Sequence, residues 1–174
     1  VSANAVEAIV MNASGCGATV KDYGHALALD PVYAAKAKRI SELTRDLSEL
    51  LPDLVPRLKP KLRLKGVATQ LAYHPPCTLQ HGLKIRGLAE DLLVAAGYEL
   101  TPVADGHLCC GSAGTYSLLQ PELSKRLRDN KLAALTAGSP ATVATANIGC
   151  LSHLQAGSVL PVRHWVELID AALA

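Results

Sequence analysis

The sequence of 174 residues is poor in aromatic side chains: it contains no phenylalanine, and aromatic residues make up 3% of the chain. A surface built for stacking nucleic-acid bases is therefore excluded. An excess of charge of one sign is also lacking, because 17 Lys and Arg residues stand against 15 Asp and Glu residues and leave a net charge of +2. This balance argues against nucleic acid as a partner.

Long apolar runs are absent as well. Segments such as 92–96 and 143–146 fall far short of the roughly 18 residues that a membrane-spanning helix needs, and no charged segment followed by an apolar one opens the chain. We therefore expect no transmembrane segment and a cytoplasmic location. With hydrophobic residues at 49% and charged residues at 18%, the composition predicts a folded chain with a sizeable core.

The common signatures of nucleotide and hydrolase sites are missing too. No strand is followed by Gly-x-Gly-x-x-Gly, no phosphate-binding loop ends in Gly-Lys-Ser or Gly-Lys-Thr, and no Gly-x-Ser-x-Gly nucleophile turn occurs. Dinucleotide binding, nucleoside triphosphate binding and serine hydrolysis are thus poorly supported. We predict no catalytic residue in this chain.

Alternating apolar patterns predict an α/β fold. Amphipathic and alternating segments indicate strands at 6–11, 67–73, 98–103 and 142–146, and helices at 31–51, 121–137 and 163–173 and around Ile85, Leu88, Leu92 and Ala96. Strands that alternate with helices imply a layered, largely parallel sheet with helices on both faces. Residues 52–66 hold three prolines and five Lys or Arg residues, which favours a linker.

Five cysteines supply the most specific chemistry. Without a secretion signal they do not indicate a disulfide framework, so metal binding or redox chemistry is the leading interpretation. Cys109 and Cys110 are adjacent, and a strand would point them to opposite faces, whereas a loop can direct both toward one object. Gly111 and Gly114 follow them and allow a sharp turn that brings backbone amides toward a negatively charged centre.

The topology predicts that distant cysteines meet. Loops that follow the carboxyl ends of parallel strands lie together at one sheet edge, so we expect Cys77, Cys109, Cys110 and Cys150 to converge there. Four thiolates are the usual ligand set of a [4Fe-4S] cluster. The same four thiolates, or three of them with His153, could instead hold a structural zinc ion, which would make the chain an assembly module without redox activity.

The sequence also contains two similar cysteine-bearing segments. Asn12, Gly15 and Cys16 resemble Asn147, Gly149 and Cys150, since each set follows a predicted strand and precedes a predicted helix. Two copies of one cysteine-presenting turn are therefore expected.

These motifs resemble a known family. The segments 12–17, 74–81, 109–116 and 147–150 are similar to CCG cysteine-rich domains, and most closely to the C-terminal part of the iron-sulfur subunits of bacterial glycolate oxidases, with heterodisulfide reductases as more distant relatives. The resemblance implies the end of a first CCG repeat at 1–51, a linker at 52–66 and a second repeat at 67–174. It also implies that Cys16 is separated from the partners of its own repeat.

The resemblance further implies a role. Cys77, Cys109, Cys110 and Cys150 would hold an iron-sulfur cluster of the [4Fe-4S] type, with His153 standing where relatives have another cysteine. Electrons would come from flavin-containing glycolate oxidase subunits, and the complex would be cytoplasmic or peripheral at the inner membrane. The chain alone would not oxidise glycolate.

The remaining titratable residues are expected to have ordinary roles. Neutral histidines beside a cluster can tune its potential, but structural roles are expected individually for His74, His81 and His107. Solvated helix faces are expected for Lys84, Arg86, Arg126, Arg128 and Lys131.

Overall fold

Two parallel sheets organise the part of the chain that the computed structural model describes, which comprises residues 6–58, 61–62 and 69–173. The smaller sheet pairs β1 (Ile9–Met11) with β2 (Thr44–Asp46). The larger sheet contains β3 (Gln70–His74), β4 (Glu99–Leu100), β5 (Thr142–Thr145) and β6 (Val162–His164), in the spatial order β4-β3-β5-β6 with every neighbouring pair parallel.

Helices connect these strands. They are α1 (Ser14–Lys21), α2 (Tyr23–Ala26), α3 (Ala34–Leu43), α4 (Leu47–Leu58), α5 (Leu88–Ala95), α6 (Tyr116–Leu119), α7 (Pro121–Thr136), α8 (Ile148–Gln155) and α9 (Trp165–Ala171). A π-helical turn, Thr78–Gly82, follows β3. Within the described ranges, none of the helices has the length and apolar character needed to cross a bilayer.

The larger sheet carries a hydrophobic core on each face. Leu71 and Tyr73 of β3 pack with side chains of α5 and α9, including Leu93 and Trp165. Ala72, the intervening residue, packs on the opposite face with side chains of α7 and α8, together with Cys110 and Cys150. The predicted α/β class, with a parallel sheet and helices on both faces, is confirmed.

The single helix expected over 31–51 is wrong. The chain forms α3, then the short strand β2, then α4. Thr44 ends the first helix because its hydroxyl donates to the carbonyl of Ile40 at 2.8 Å while its backbone pairs with Ile9. The apolar spacing continues through β2 and therefore concealed the interruption, which depends on a strand partner 35 residues earlier in the chain.

The segment predicted as a linker is helical in its first part. Residues 52–58 complete α4, with Pro52 and Pro56 inside the helix, and Leu51 is buried in the core shared with α5 and α9. Residues 59–60 and 63–68 of that segment lie outside the described residues. The division of the chain into 1–51, 52–66 and 67–174 stays a prediction.

The two similar turns are present and lie side by side. In both, a strand runs into a helix: β1 into α1, and β5 into α8. The backbone N–H of Ser14 donates to the carbonyl of Ala146 at 3.2 Å, and the hydroxyls of Ser14 and Thr78 are 2.8 Å apart. The first part of the chain therefore docks directly on the cysteine-bearing edge of the larger sheet.

Candidate metal centre

Three loops at the carboxyl edge of the larger sheet carry the cysteines. Cys77 follows β3, Cys109 and Cys110 lie in the loop after β4, and Cys150 occupies the first turn of α8 after β5. All four line one cavity of about 540 Å³. The structure therefore brings together the cysteines that the sequence predicted would converge.

The four thiols form a continuous series of interactions. Each affects the pKa of the next in the order Cys77, Cys109, Cys110 and Cys150, and the sulfurs of Cys110 and Cys150 lie within 4.8 Å of each other. Cys110 and Cys150 are buried, whereas Cys77 and Cys109 are half-buried and all are free thiols. This arrangement presents soft ligand atoms from three loops to one volume.

Cys16, which is exposed, lines the same cavity from the first turn of α1. The resemblance implied that this residue is separated from the partners of its own repeat. Because α1 docks beside α8, its thiol instead reaches the rim of the cavity lined by the second set. Cys16 is outside the series of thiol interactions described above.

The thiols differ in acidity. Burial raises the pKa of Cys77, and the hydrogen bond with Cys110, together with burial, raises the pKa of Cys109 far above its usual value. For Cys110 the hydrogen bond with Cys109 lowers the pKa, but the bond with Cys150 and burial outweigh it and raise the value to about 12. A bound metal ion would take the place of these protons, because the thiols bind metal as thiolates.

Cys150 is the exception. The hydrogen bond from Cys110 lowers the pKa of Cys150, and the side chain of Asn147 acts in the same direction, against the effect of burial. The Asn147 amide nitrogen lies 3.6 Å from the Cys150 sulfur. Cys150 is thus the thiol of the buried pair that is best prepared to carry negative charge.

Gly111 allows the vicinal cysteine loop to close. It has a left-handed backbone (φ 89°), and a Cβ at this position would overlap the carbonyl oxygen of Ser124. The backbone N–H of Gly111 donates to the Cys109 sulfur at 3.3 Å, while the buried Ser124 hydroxyl donates to the Gly111 carbonyl at 2.8 Å. As expected from the sequence, a backbone amide of this loop therefore points toward the cysteine cluster.

Lys131 also supports this loop, which corrects the expectation of a solvated position. Its side chain is only 3% exposed, and its ammonium group donates to the carbonyls of Asp105 and Gly106, each at 3.0 Å. The amide of Gln80 joins the same carbonyl of Gly106, at 3.4 Å, to that of Pro75, at 2.7 Å. Buried polar groups thus fix the loops that carry Cys77 and Cys109 relative to each other.

His74 is a residue that sequence reasoning undervalued. It lies at the end of β3, is 0% exposed, and places a ring nitrogen within 4.8 Å of the sulfurs of Cys110 and Cys150. The sequence offered a weak signal, since His74 ends the strand that leads into Cys77. The inward direction of its side chain depends on the register with β5.

His153, the further candidate ligand, lies elsewhere. Its Nε2 atom is 3.1 Å from the Ser124 hydroxyl, and the residue is not among those that line the cavity. The spacing of three residues from Cys150 is helical as expected, but the ring turns toward α7. The structure does not bring His153 together with the thiols, and the same holds for the exposed His81 and His107.

The fold and this site define a parallel α/β protein with a cluster of thiols at the carboxyl edge of its sheet. Residues 71–155 match the family described as CCG, the cysteine-rich domain. The matched segment includes Cys77, Cys109, Cys110 and Cys150.

Whole-chain comparisons extend this similarity beyond the domain. The chain is 52% identical over 167 residues to the glycolate oxidase iron-sulfur subunit of Escherichia coli (strain K12), covering 96% of the chain and 40% of that protein. It is 32% identical to the probable glycolate oxidase iron-sulfur subunit of Bacillus subtilis (strain 168), covering 87% and 34%. Lactate utilization protein A of Geobacillus kaustophilus (strain HTA426) is 29% identical, covering 94% and 70%. The chain spans less than half the length of the first two relatives.

Proposed function

We propose that Cys77, Cys109, Cys110 and Cys150 hold an iron-sulfur cluster, and that the chain acts as an electron-transfer part of a flavin-dependent glycolate oxidase. The observation that carries the proposal is the convergence of these four thiols from three loops on one cavity. The similarity to proteins named iron-sulfur subunits supports it.

The residues present fit such a group. Thiolates are the ligands that iron-sulfur clusters use, and four of them suit a [4Fe-4S] cluster. A cavity of about 540 Å³ exceeds the space that a single ion needs, which favours a cluster over zinc.

When bound, a cluster of this kind accepts and releases single electrons. The chain's own residues set the conditions for that chemistry. The Gly111 amide and the Asn147 side chain donate hydrogen bonds to Cys109 and Cys150, and such donors stabilise negative charge on sulfur. The buried Lys131 ammonium adds positive charge beside Cys109 and Cys110. Together these groups would favour the reduced state.

The proposed substrate is supported by the names of the relatives, and the proposed flavin-containing partners by the family resemblance of the cysteine motifs. Flavin-containing subunits would oxidise glycolate and deliver electrons to this chain, which has no predicted catalytic residue of its own. The cavity opens at a surface where Ile148 is 58% exposed and Cys16 is exposed, so a second subunit could approach the centre there. The complex would be cytoplasmic or peripheral at the inner membrane.

Anaerobic reconstitution of the chain with iron and sulfide tests the proposal. We expect about four iron and four sulfide per chain for a [4Fe-4S] cluster, with a paramagnetic resonance spectrum after reduction. Cys110→Ser and Cys150→Ser should each lose most of this iron, because they remove buried ligands. Cys16→Ser is the matched control and should retain the wild-type content.

The zinc alternative gives a different result. A colourless protein that holds one zinc ion per chain, takes up no iron or sulfide anaerobically and shows no resonance after reduction would overturn the electron-transfer proposal. Such a result would assign the thiols to a structural site.

A further inference from the structure

The side chain of His74 lies on the thiol-bearing face of the larger sheet. Successive residues of a strand point to opposite faces, and Ala72, two residues earlier, packs with Cys110 and Cys150 in the core on that face. His74 pairs with Thr145 of β5 in the parallel register, and both side chains are fully buried. The imidazole therefore sits at the base of the cysteine loops.

Three ligand atoms meet at this point. A ring nitrogen of His74, the Cys110 sulfur and the Cys150 sulfur all lie within 4.8 Å of one another. Each belongs to a different element, namely β3, the loop after β4, and α8, so their meeting is a product of the tertiary fold. Imidazole nitrogen and thiolate sulfur are common ligands of the same zinc or iron ion in proteins.

The imidazole has no hydrogen-bond partner among the residues that the structure describes. Neither ring nitrogen of His74 forms a hydrogen bond within the described part of the chain, and the neighbouring Thr145 hydroxyl is likewise unpaired there. A buried polar group without a partner is destabilising, so a structural histidine would normally be hydrogen-bonded. A neutral imidazole has one ring nitrogen with a free lone pair, which is the form that binds a metal ion.

We propose that His74 is a ligand of the metal centre, and that its imidazole nitrogen binds a metal ion of the same centre that the sulfurs of Cys110 and Cys150 hold. The identification of that ion as iron rests on the proposed function, whereas the shared ligation itself follows from the three converging atoms. A neutral nitrogen ligand leaves less negative charge on the centre than a thiolate would. The reduction potential of the centre should consequently be higher with His74 than with cysteine at this position.

Nitrogen ligation is tested first on the reconstituted iron-sulfur protein. Pulsed electron paramagnetic resonance of the reduced chain, prepared with and without ¹⁵N-labelled histidine, should show a strongly coupled histidine nitrogen in the wild type. The same signal should be absent from His74→Gln and present in His81→Gln, a control histidine that is exposed and does not line the cavity. A wild-type spectrum with only weak nitrogen coupling would show hydrogen bonding at most and would reject ligation.

A second arm uses cobalt(II) alone and does not need a cluster. Anaerobic titration of the metal-free chain should give sulfur-to-cobalt charge-transfer absorption, with affinity reduced by at least about tenfold in His74→Gln and unchanged in His81→Gln. X-ray absorption of the cobalt protein should detect a nitrogen ligand that His74→Gln lacks. Equal cobalt affinity and equal coordination in wild type and His74→Gln would overturn the proposal.

His74→Cys separates ligation from a purely structural role. A thiolate at this position should restore metal content while removing the nitrogen coupling and lowering the reduction potential. A variant that is merely misfolded would not restore the metal content, and far-ultraviolet circular dichroism checks the folding directly.

The two proposals fail in distinguishable ways. Iron and sulfide bound without histidine coupling would reject ligation by His74 and leave the electron-transfer proposal standing. Cobalt bound with a His74-dependent nitrogen, in a chain that takes up no iron or sulfide, would support ligation by His74 and reject the electron-transfer proposal.

Discussion

The side-chain oxygen of Asn147 accepts a hydrogen bond from the backbone N–H of Gly15 at 3.2 Å, joining two turns that lie 132 residues apart. The amide nitrogen of the same side chain lies 3.6 Å from the Cys150 sulfur. One asparagine thus connects the α1 turn, which carries Cys16, to a buried thiol of the candidate centre. Docking of the first part of the chain and the environment of Cys150 are therefore coupled through Asn147.

Replacing Asn147 should affect both the docking of α1 and the metal-binding environment of Cys150. Asn147→Ala removes both hydrogen bonds and leaves the Gly15 amide without its acceptor, so we expect the free energy of unfolding to fall by about 1–2 kcal/mol in urea. Asn147→Asp is the matched control, because its carboxylate still accepts from Gly15 but cannot donate to Cys150. It should preserve most of the stability and still reduce the iron retained after reconstitution. Equal stability of Asn147→Ala and wild type would show that this link is unimportant.

Gly111 should be intolerant of any side chain. Alanine at this position must adopt a left-handed backbone, at roughly 1–2 kcal/mol, and its Cβ would also overlap the Ser124 carbonyl. We expect Gly111→Ala to lose more than about 2 kcal/mol of stability and most of its bound iron. Gly114 has φ 58° and open space around its Cβ position, so Gly114→Ala should lose only the backbone contribution. Similar losses for both variants in thermal unfolding would contradict this reading of the loop.

Lys131 should hold the vicinal cysteine loop in place. Lys131→Met keeps the aliphatic stem but removes the charged donor to the carbonyls of Asp105 and Gly106, with a cost of about 1–3 kcal/mol. We expect faster alkylation of Cys109 and Cys110 in the metal-free protein, as measured by mass spectrometry. Lys125→Met, at an exposed position of the same helix, is the control and should alkylate at the wild-type rate. Unchanged alkylation in both variants would mean that the loop is held by other contacts.

Glu90 should make stability depend on pH. Burial raises the pKa of its carboxyl above the usual value, so the folded state holds this proton more tightly than the unfolded state. Its contribution to stability is therefore present at low pH and is lost as the pH rises through the folded-state pKa. Glu90→Gln should raise the urea midpoint at pH 7 and change it little at pH 4.

Glu99→Gln, at an exposed position of β4, serves as the comparison for Glu90. It should give the same small difference from wild type at both pH values. A Glu90→Gln variant that is no more stable than wild type at pH 7 would show that burial of this carboxyl has no net cost.

Much of the site was predictable because it depends on strand order. Cys77 and Cys150 each follow a strand that the apolar pattern of the sequence predicts. Parallel strands bring the loops at their carboxyl ends to one edge of the sheet. The resemblance of Asn12, Gly15 and Cys16 to Asn147, Gly149 and Cys150 likewise predicted two similar turns, which the structure shows. Neither inference needed knowledge of how the helices pack.

Other features were not predictable, since they depend on packing between distant elements. Lys131 has the spacing of a surface residue on α7, yet its ammonium group turns inward to carbonyls exposed by a loop 25 residues earlier. His153 has the right helical spacing from Cys150, but Ser124 engages its ring. The strand β2 could not be predicted from residues 44–46 alone, because it forms only by pairing with the distant strand β1.

By itself, the sequence determined the alternation of strands and helices, the presentation of Cys77, Cys109, Cys110 and Cys150 in loops after strands, and the need for glycine beside the vicinal pair. These follow from local apolar spacing and backbone freedom. Only the tertiary structure decided that His74 lies beneath the thiols and that Cys16 reaches the same cavity. The physical reason is that the register between β3 and β5 directs the imidazole inward, and the docking of α1 beside α8 brings Cys16 to the rim.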